Sequence, residues 1–398
     1  MKKKILFVIN TLGRAGAENA LLELLKRIDK DRYEVSLYVL TGQGEMIGKL
    51  PEKVRLLNKS FIPVSVHDAE GRKHLAKTVI RAFLRRANII RLAPYLIKNG
   101  FIMMKNGRIL PEKLLWRVIS DGADRRREKY DLAVSYIEGA AAYYVHDHVR
   151  AKKKAAFIHV DYQKAGYTRG IDRECYLDFD RIFGVSGEVA EVFAKAYPEL
   201  SDRIGVFHNL LDNEGIITRS MEGDGFTDRF TGVRLLTVGR LMAQKAFEVS
   251  IRACRILKKK GEKIRWYVLG EGDQRKKLEA LIDKLGLKDD FILYGAVDNP
   301  YPYIRQADIY VHCSRFEGKS IAVQEAQILG KPIVVSDCSG NREQVIPGED
   351  GLICDFNPKD IARSIEELLH DREKRLYLAG NAQNKNNNED SLDKLLEI

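Results

Sequence analysis

Short apolar runs alternate with helix-like segments along this chain of 398 residues, and the alternation begins again in the second half. The first run, ILFVIN at residues 5–10, is continuously apolar, as expected of a parallel strand buried on both faces. Further strands are predicted in this half at VSLYVL (35–40), DLAVSYI (131–137), AAFIHV (155–160) and RIFGVS (181–186). Strands that alternate with helices predict an α/β fold with a parallel sheet.

A polar, glycine-bearing stretch at residues 212–230 interrupts the pattern and predicts the connection between two domains. Beyond it we predict strands at RLLTVGR (234–240), WYVLG (266–270), FILYG (291–295), DIYVHCS (308–314) and IVVSD (333–337), with helices at 245–260 and 273–285. The predicted domains are 1–211, with a basic helical insertion at about 71–125, and 212–380, followed by a segment, 381–398, that packs back on the first domain. In parallel sheets, ligands bind at the carboxyl ends of the strands.

Composition limits the classes of partner and compartment. The net charge of +11 indicates an acidic partner, which can be nucleic acid, an anionic membrane or a phosphorylated substrate. Five cysteines without a C-x-x-C spacing argue against a disulfide framework or a zinc ribbon and favour a reducing cytoplasm. No apolar run approaches the roughly 18 residues of a spanning helix, so we predict neither a membrane span nor a secretory signal.

The segment EGKSIAVQEA, residues 317–326, carries a glutamate near each end. Ser320 is a plausible N-cap and Gly330 a plausible C′ residue, which predicts a helix from Ile321 to Leu329. Glu317 then lies on the loop before the helix and Glu325 one turn inside it. Because the free amides of a helix N-terminus favour an anion, the two carboxylates would stand on either side of an anion site.

Other strand ends carry further candidates, each with an ordinary structural alternative. Arg240 ends one predicted strand and Lys245 begins the next helix, which would bring two cations near a phosphate, although strand-end arginines are usually surface residues. The turn GEGD, which begins at Gly270, has only part of a dinucleotide fingerprint. Gly16 in the loop GRAGAE would let a ligand approach the backbone, or would simply form a turn.

Together these residues resemble the family-4 glycosyltransferases, which are retaining enzymes that use nucleoside-diphosphate sugars. The most specific element is Glu-x7-Glu within FEGKSIAVQEA, followed by GKPIVVSD and NREQVIPGEDGLIC, and preceded by VGRL and VLGEGD. The resemblance covers the second half, and in the first half only the opening βα unit, IHVDY and the VS at 185–186. It implies the GT-B fold, an α/β architecture in which two Rossmann-like domains with parallel sheets face a central cleft.

The resemblance also implies roles for individual residues. Glu325 would bind the ribose hydroxyls, Glu317 the donor sugar, and Arg240 with Lys245 the diphosphate, while His159 would lie near the donor sugar. The catalytic set is therefore Glu317, His159, Arg240 and Lys245. The remaining donor-binding positions lie in loops, with the amides of residues 319–321 on the distal phosphate: Gly16, Gly270, Gly318, Lys319, Ser320 and Ile321.

Several positions depart from the family pattern. Ala15, Ala246 and Ser320 stand where glycine is common, which affects loop geometry and donor choice, while every charged position is intact. His159 has an ordinary alternative as a buried strand-end histidine bonded to backbone. His146 and His148, in the sequence HDH, are interpreted as surface residues and not as metal ligands.

The implied reaction requires neither a cofactor nor a metal ion, because fixed cations meet the charge that grows on the leaving diphosphate. No motif-supported carboxylate is available as a nucleophile, so retention would follow front-face substitution, with the leaving phosphate as base. The co-substrate is a nucleoside-diphosphate sugar, with UDP favoured. The acceptor is a glycan or a lipid-linked carrier, as in the synthesis of cell-surface polysaccharide or glycolipid.

Residues 71–111 contain ten Lys or Arg and no Asp or Glu. Lys73, Lys77, Arg81 and Arg85 recur every four residues, which predicts a basic face on an amphipathic helix. Such a helix indicates contact with an anionic membrane surface through residues 72–108, or a solvated face packed on its own domain. The first alternative makes the protein peripheral on the inner face of the membrane.

Two other functions stay open at this stage. A GT-B sugar-nucleotide epimerase would share the fold and the diphosphate site but would convert the donor without an acceptor. A non-catalytic, glycosyltransferase-like partner subunit is the other class, which the intact charged positions disfavour. Nucleic acid is not expected as a partner, since no RNP, KH or zinc-finger pattern is present.

Overall fold

The computed structural model describes residues 2–66, 68–105, 107, 109–385 and 392–398, except the side chains of Arg86 and Ser339. The chain divides into two compact units. Met1–Leu210 together with Glu389–Ile398 form the first unit, and Leu211–Asn388 form the second. The connecting residues 386–391, which fall within the predicted C-terminal segment, lie outside the described part of the chain.

The first unit contains a parallel sheet of seven strands in the order β3-β2-β1-β4-β5-β6-β7. The strands are β1 (Lys3–Ile9), β2 (Tyr33–Val39), β3 (Val54–Leu56), β4 (Lys129–Ser135), β5 (Arg150–Ile158), β6 (Arg181–Gly184) and β7 (Ile204–Val206). The five predicted strands of this half are confirmed. The two that the sequence did not indicate, β3 and β7, are three-residue edge strands, which are too short to show a periodic pattern.

The helices of the first unit cover this sheet and build its core. They are α1 (Gly16–Arg27), α2 (Ala69–Leu84), α3 (Asn88–Lys105), α4 (Pro111–Gly122), α5 (Ala140–His148), α6 (Arg169–Asp172) and α7 (Gly187–Ala196). Aromatic residues dominate the core, where Tyr176 contacts Phe193 edge to face with ring centroids 5.0 Å apart. Helices α2, α3 and α4 lie between β3 and β4, in the part of the chain that carries the basic segment.

The second unit contains a parallel sheet of six strands in the order β10-β9-β8-β11-β12-β13. The strands are β8 (Val233–Val238), β9 (Ile264–Leu269), β10 (Phe291–Gly295), β11 (Ile309–His312), β12 (Ile333–Ser336) and β13 (Leu352–Cys354). The helices are α8 (Asn213–Arg219), α9 (Phe247–Lys259), α10 (Arg275–Lys284), α11 (Tyr301–Gln306), α12 (Ile321–Ile328), α13 (Ser339–Gln344), α14 (Pro358–His370) and α15 (Arg372–Asn384). A last short helix, α16 (Asp393–Leu396), belongs to the first unit.

Both sheets are wound in the same way. The first strand of each unit has the second strand on one side and the fourth on the other. The strand order therefore reverses at β1/β4 and at β8/β11, which are the switch points of the two sheets. The loops that follow these two strands diverge, and the crevice between them is where open α/β sheets bind ligands. The predicted α/β class with two parallel sheets is confirmed.

The predicted helix in the 317–326 segment is also confirmed. Ser320 is the N-cap of α12, which ends at Ile328, and Gly330 follows with a φ of +61°, a left-handed conformation that suits a glycine at C′. Throughout the described ranges, no helix is both long and apolar enough to cross a membrane.

Candidate active site

The loop after β8 carries the two predicted cations, but not where the sequence placed them. Arg240 lies two residues beyond the end of β8 and is exposed, and Lys245 ends a short 3-10 turn, Ala243–Lys245, ahead of α9. Ala246, between the turn and the helix, has a φ of +49°, a left-handed conformation that glycine adopts more readily. The tight bend therefore persists although alanine replaces the family's glycine.

Lys245 makes an ion pair with Glu317 across the switch point of the second sheet. The Lys245 Nζ lies 2.5 Å from Glu317 Oε1. The same oxygen accepts a hydrogen bond from Ser314 Oγ at 2.5 Å and lies 3.0 Å from His312 Nε2. Because β8 and β11 are neighbours in the sheet, side chains from two distant segments of sequence meet here.

The environment of Glu317 keeps its carboxylate ionised. Burial by itself would raise the pKa of Glu317, but Lys245 and His312 outweigh it and hold the pKa well below its ordinary value. Burial and the Lys245 ammonium lower the pKa of His312, so this imidazole is neutral at pH 7. The site therefore presents a fixed negative charge beside a fixed positive charge.

Glu325 lies inside the first turns of α12 and is buried. The Tyr301 hydroxyl donates a hydrogen bond to Glu325 Oε1 at 3.0 Å, and the Arg219 guanidinium lies over the Tyr301 ring at 4.8 Å from its centroid. Burial raises the pKa of Glu325 to about 7, although Tyr301 and Arg219 act in the opposite direction. Two glutamates on one segment thus have different charge states near neutral pH.

The start of α12 is held by α13. The backbone N–H of Ser320 donates to Gln344 Oε1 at 2.7 Å, and Gln344 Nε2 donates to the Ser320 carbonyl at 2.9 Å. The resemblance implied that the amides of residues 319–321 bind the distal phosphate. For Ser320 this is corrected, because its amide already has a protein partner, whereas the neighbouring positions Lys319 and Ile321 stay predictions.

Glycines let the loops of this site approach one another closely. Gly270, after β9, has a φ of +150°, and a Cβ built on it would lie 2.0 Å from the Gly239 carbonyl oxygen. A Cβ on Gly340 would lie 1.8 Å from the carbonyl oxygen of Gly318. These contacts exclude a side chain at Gly270 and at Gly340, and the second lets the Gly318 carbonyl pack closely against α13.

In the first unit, the loops after β4 and β5 carry a buried carboxyl group and a neutral histidine. His159 directly follows β5, and its backbone N–H donates to Glu138 Oε2 at 2.9 Å. Burial lowers the pKa of His159 to about 4, and the pKa of Glu138 is raised by its own burial. Among the described residues the Nε2 atom of His159 is buried and has no hydrogen-bond partner.

Gly16 is the first residue of α1, directly after β1 and its loop. Ala15, the N-cap, has an extended backbone with a φ of −107°, so the replacement of the family's first glycine by alanine requires no left-handed conformation. Asn10, at the end of β1, accepts a hydrogen bond from the Ala141 amide at 2.8 Å. This bond joins the loops after β1 and β4.

The interpretation of both HDH histidines as surface residues is wrong for His148. Its side chain is 5% exposed, and its Nε2 lies 3.3 Å from Asp121 Oδ1. Asp121, Asp147 and His148 could each offer one ligand atom to a metal ion. Arg117 ion-pairs with Asp147 at the same place, so a guanidinium already neutralises one of the carboxylates and the group is better explained as an ion-pair network.

The basic helix differs from its prediction at one of four positions. Lys73, Lys77 and Arg81 are exposed on α2, as expected. Arg85 lies beyond the end of α2, where it donates to the Gly122 carbonyl at 3.0 Å and makes an ion pair with Asp124 at 2.7 Å. Of the remaining basic residues of segment 71–111, Arg108 and the side chain of Arg86 lie outside the described structure.

Sequence reasoning missed four residues that shape these sites: Glu138, Tyr301, His312 and Gln344. A histidine within the buried run DIYVHCS was a usable signal, because a fully buried imidazole needs polar partners. The other three had no local signal, since each acts on a residue at least 20 positions away in sequence.

The second unit matches a family model described as glycosyl transferases group 1 over residues 231–385. Alpha-D-kanosaminyltransferase of Streptomyces kanamyceticus is 30% identical over 151 residues, which cover 37% of this chain and 39% of that protein. A Campylobacter jejuni protein, N-acetylgalactosamine-N,N'-diacetylbacillosaminyl-diphospho-undecaprenol 4-alpha-N-acetylgalactosaminyltransferase, is 31% identical over 168 residues, 42% of this chain and 44% of that protein. The chain thus spans about two fifths of the length of these curated relatives.

Solved structures align with nearly the whole chain. Anabaena HepE in complex with UDP-glucose has a TM-score of 0.66 at 17% identity, covering 96% of this chain and 93% of that one. The lipopolysaccharide outer core galactosyltransferase WaaB has a TM-score of 0.57 at 16% identity, covering 96% and 94%. At these identities the likeness concerns the fold alone, and the GT-B fold that the resemblance implied is confirmed.

Proposed function

Since residues 231–385 make this chain a member of the group 1 glycosyl transferases, we propose that it is a retaining hexosyltransferase. It moves a hexose-type sugar from a nucleoside-diphosphate sugar, with UDP as the favoured nucleotide, to a glycan or lipid-linked acceptor. The solved structures of HepE contain UDP, UDP with glucose, or UDP-glucose, which supports the choice of nucleotide.

The observation that carries the proposal is the Lys245–Glu317 ion pair at the β8/β11 switch point, with Glu325 one turn into α12. A nucleoside-diphosphate sugar has hydroxyl groups on both sides of a doubly charged diphosphate. Two carboxylates on either side of a cationic centre match that order. In the proposed complex Glu325 accepts from the ribose, Glu317 from the sugar, and Arg240 with Lys245 contacts the diphosphate.

The proposed reaction follows from where charge develops. As the bond to the anomeric carbon breaks, negative charge grows on the leaving phosphate and the sugar gains oxocarbenium character. Arg240, Lys245 and the amides of Lys319 and Ile321 stabilise that phosphate, which is why no divalent metal is required in the proposal. The leaving phosphate then takes the proton of the acceptor hydroxyl on the same face of the sugar.

The ionisation state of each carboxyl suits its proposed task. Glu317 stays ionised because of Lys245, so it accepts hydrogen bonds from sugar hydroxyls throughout the physiological pH range. Glu325, with a pKa of about 7, must release its proton to accept from two ribose hydroxyls. Nucleotide binding is therefore expected to release protons at or below pH 7.

The acceptor is assigned to the first unit, where His159 is the proposed contact with the reacting sugar and Gly16 lets the donor approach the backbone of α1. The Campylobacter jejuni relative carries diphospho-undecaprenol in its name, and a Rhizobium meliloti relative is a lipopolysaccharide core biosynthesis glycosyltransferase. These names support an acceptor in cell-surface polysaccharide or glycolipid synthesis. Cys175, Cys254, Cys313 and Cys354 are free thiols, in keeping with the cytoplasm as the proposed compartment.

A thermal-shift screen of nucleotide sugars tests donor binding. UDP-glucose, UDP-galactose and UDP-N-acetylglucosamine are compared with their GDP counterparts, in wild type and in Glu325→Ala. A ligand at a hundred times its dissociation constant adds about 2.7 kcal/mol of stability, which is an easily measured shift. Stabilisation by a UDP-sugar in wild type and its loss in the variant are expected.

Product analysis then separates the classes of function. Incubation of the stabilising donor with lipid-linked acceptors, with and without EDTA, should yield an α-linked product at the same rate in both conditions. Conversion of the donor sugar without an acceptor would instead identify an epimerase. If no nucleotide sugar binds, the non-catalytic partner subunit is the remaining class of function.

A further inference from the structure

Helix α3 has two apolar faces, and the described part of the chain covers only one of them. Leu92, Tyr95 and Met103 are buried, in clusters with residues of α2, α4 and α6. The Tyr95 hydroxyl also donates to the Ile171 carbonyl at 2.9 Å, which fixes the rotation of the helix on its unit. Because this buried face packs on the unit, the opposite face of α3 points to solvent.

That outward face is a continuous apolar stripe. Ile90 is 75% exposed, Ile97 72%, Phe101 64% and Met104 60%. At 100° per residue, the spacing i, i+7, i+11, i+14 keeps these four side chains within about 60° of one another, over a length of about 21 Å. We call these four residues the α3 stripe.

The surroundings of the α3 stripe are basic. Lys98 and Lys105 are exposed on α3 and make no ion pair within the described part of the chain. Arg91 is paired with Asp121 at 3.0 Å and therefore adds little free charge. Segment 71–111 contains no Asp or Glu, so no acid in this segment neutralises the two lysines.

We propose that the α3 stripe, with Lys98 and Lys105, is the surface by which this protein docks on an anionic phospholipid bilayer. The apolar side chains would enter the headgroup boundary while the two ammonium groups contact lipid phosphates, as for other interfacial helices. The helix would lie in the plane of the membrane, since it does not meet the requirements for a membrane-crossing helix.

Charge favours lipid over a second copy of this chain as the occupant. Two copies that paired through the stripe would bring Lys98 and Lys105 of each chain together, with no acid from segment 71–111 to compensate. Four side chains also fall short of the roughly 800 Å² per partner that a stable protein interface buries. An exposed apolar patch rimmed by cations fits an anionic membrane instead.

The inference narrows the predicted membrane contact, residues 72–108, to one face of α3. The sequence pattern pointed to the basic face of α2, but that face loses Arg85 to Asp124. The α3 stripe adds what a basic face lacks, which is apolar surface for insertion. The proposal does not depend on the transferase chemistry, because docking can be measured without any sugar nucleotide.

Vesicle sedimentation tests the proposal on the full chain. Wild type is compared with the double variant Ile97→Gln/Phe101→Gln, on vesicles of phosphatidylcholine alone and of phosphatidylcholine with phosphatidylglycerol. A matched control, Leu376→Gln/Tyr377→Gln, removes two similarly exposed apolar residues from α15 in the second unit. Circular dichroism and melting temperature verify that each variant folds.

We expect wild type and the control to bind anionic vesicles equally, and the α3 variant to lose roughly tenfold or more in affinity. Lys98→Gln/Lys105→Gln should lose roughly tenfold at low salt and less at high salt. Wild-type binding by the α3 variant would overturn the proposal, as would equal binding to neutral vesicles. A dimeric wild type that becomes monomeric only in the α3 variant would assign the stripe to a second copy.

Discussion

The two sheets of this protein are wound alike, yet the loops at the carboxyl ends of their strands carry opposite kinds of chemistry. In the second unit, the loops after β8 and β11 bring a lysine ammonium within 2.5 Å of a glutamate carboxylate that is ionised. In the first unit, the loops after β4 and β5 carry Glu138 and His159, whose pKa values are shifted by burial towards their neutral forms. The same topology thus supports one charged site and one neutral polar site.

The difference shows what each unit is suited to bind. A diphosphate needs fixed charges, which cost free energy to bury unless they are paired, and the Lys245–Glu317 pair meets that requirement before any ligand arrives. The first unit instead offers groups whose pKa shifts favour their neutral forms. Charge-removing substitutions should therefore have large effects in the second unit and small ones in the first.

Removal of a cation from the second unit should have the largest effect. Arg240→Met should reduce the transfer rate at saturating donor and acceptor by roughly a hundred- to a thousandfold, the usual cost of about 2.7 to 4 kcal/mol for one donor at developing charge. Arg240 is exposed and makes no ion pair among the described residues, so the fold should survive. Donor affinity should fall less than turnover.

Lys276→Met is the matched control for that experiment, because Lys276 is an exposed cation on α10 of the same unit. It should leave the rate unchanged. If Arg240→Met retains wild-type turnover, the diphosphate site lies elsewhere and the contrast between the units fails.

The two glutamates of the second unit should separate binding from catalysis. Glu325→Ala should weaken binding of free UDP by roughly ten- to a hundredfold, because hydrogen bonds to a charged group contribute about 1.5 to 3 kcal/mol. Glu317→Ala should mainly slow transfer, since free UDP lacks the transferred sugar that Glu317 is proposed to contact. Isothermal titration calorimetry with UDP measures the first effect, and equal losses of affinity in both variants would contradict the assignment.

The raised pKa of Glu325 predicts a stability effect with a definite pH dependence. In the folded state this pKa is about 7, above the ordinary 4.5, so protonated Glu325 stabilises the fold below pH 4.5 and that contribution is lost as the pH rises through 7. Glu325→Gln should therefore increase the free energy of unfolding at pH 8 by on the order of 3 kcal/mol, since each pKa unit corresponds to about 1.4 kcal/mol. Below pH 4.5 it should change little.

Urea denaturation at pH 8 and pH 4.5 measures this difference, with Glu373→Gln on α15 as an exposed control. A gain of similar size at both pH values would indicate a packing effect and not relief of a buried charge. A gain that appears only at pH 8, together with weaker UDP binding, would show that the ionised Glu325 side chain lowers the stability of the fold but strengthens UDP binding.

The smallest effect on the pH dependence of transfer is expected from substitution of His159 in the first unit. Its pKa of about 4 means that the imidazole is neutral across the range in which the enzyme would work. His159→Gln should therefore lower the transfer rate without moving the apparent pKa values of the pH–rate profile between pH 5.5 and 8. A lost ionisation in the variant would show that His159 titrates, and the two units would then be less different than the structure indicates.

Local sequence was sufficient where neighbouring residues decide the conformation. Ser320 and Gly330 marked the two ends of α12 correctly, because capping and left-handed backbone are properties of single positions. The continuous apolar runs identified five strands of each sheet, since a strand buried on both faces must be apolar throughout. The short edge strands β3, β7 and β13 were missed because three residues carry no period.

The identity of the charged residues in the candidate site was also readable, but their partners were not. Lys245 meets Glu317 and His312 only because β8 and β11 are adjacent in the sheet, and pairing order is a property of the whole domain. The same holds for Gln344, which takes the Ser320 amide that the resemblance assigned to a phosphate. Arg85 likewise leaves the basic face of α2 because Asp124 lies within reach in the folded unit.

The sequence by itself determined the α/β class and the residue types at the strand ends, because periodicity, capping and charge act over a few residues, and it predicts a two-domain organisation. Only the tertiary structure decided which of the two apolar faces of α3 is covered, which glutamate is ionised, and which histidine is neutral. These properties depend on burial and on neighbours from distant segments, since the free energy of a charge is set by the dielectric and the partners around it.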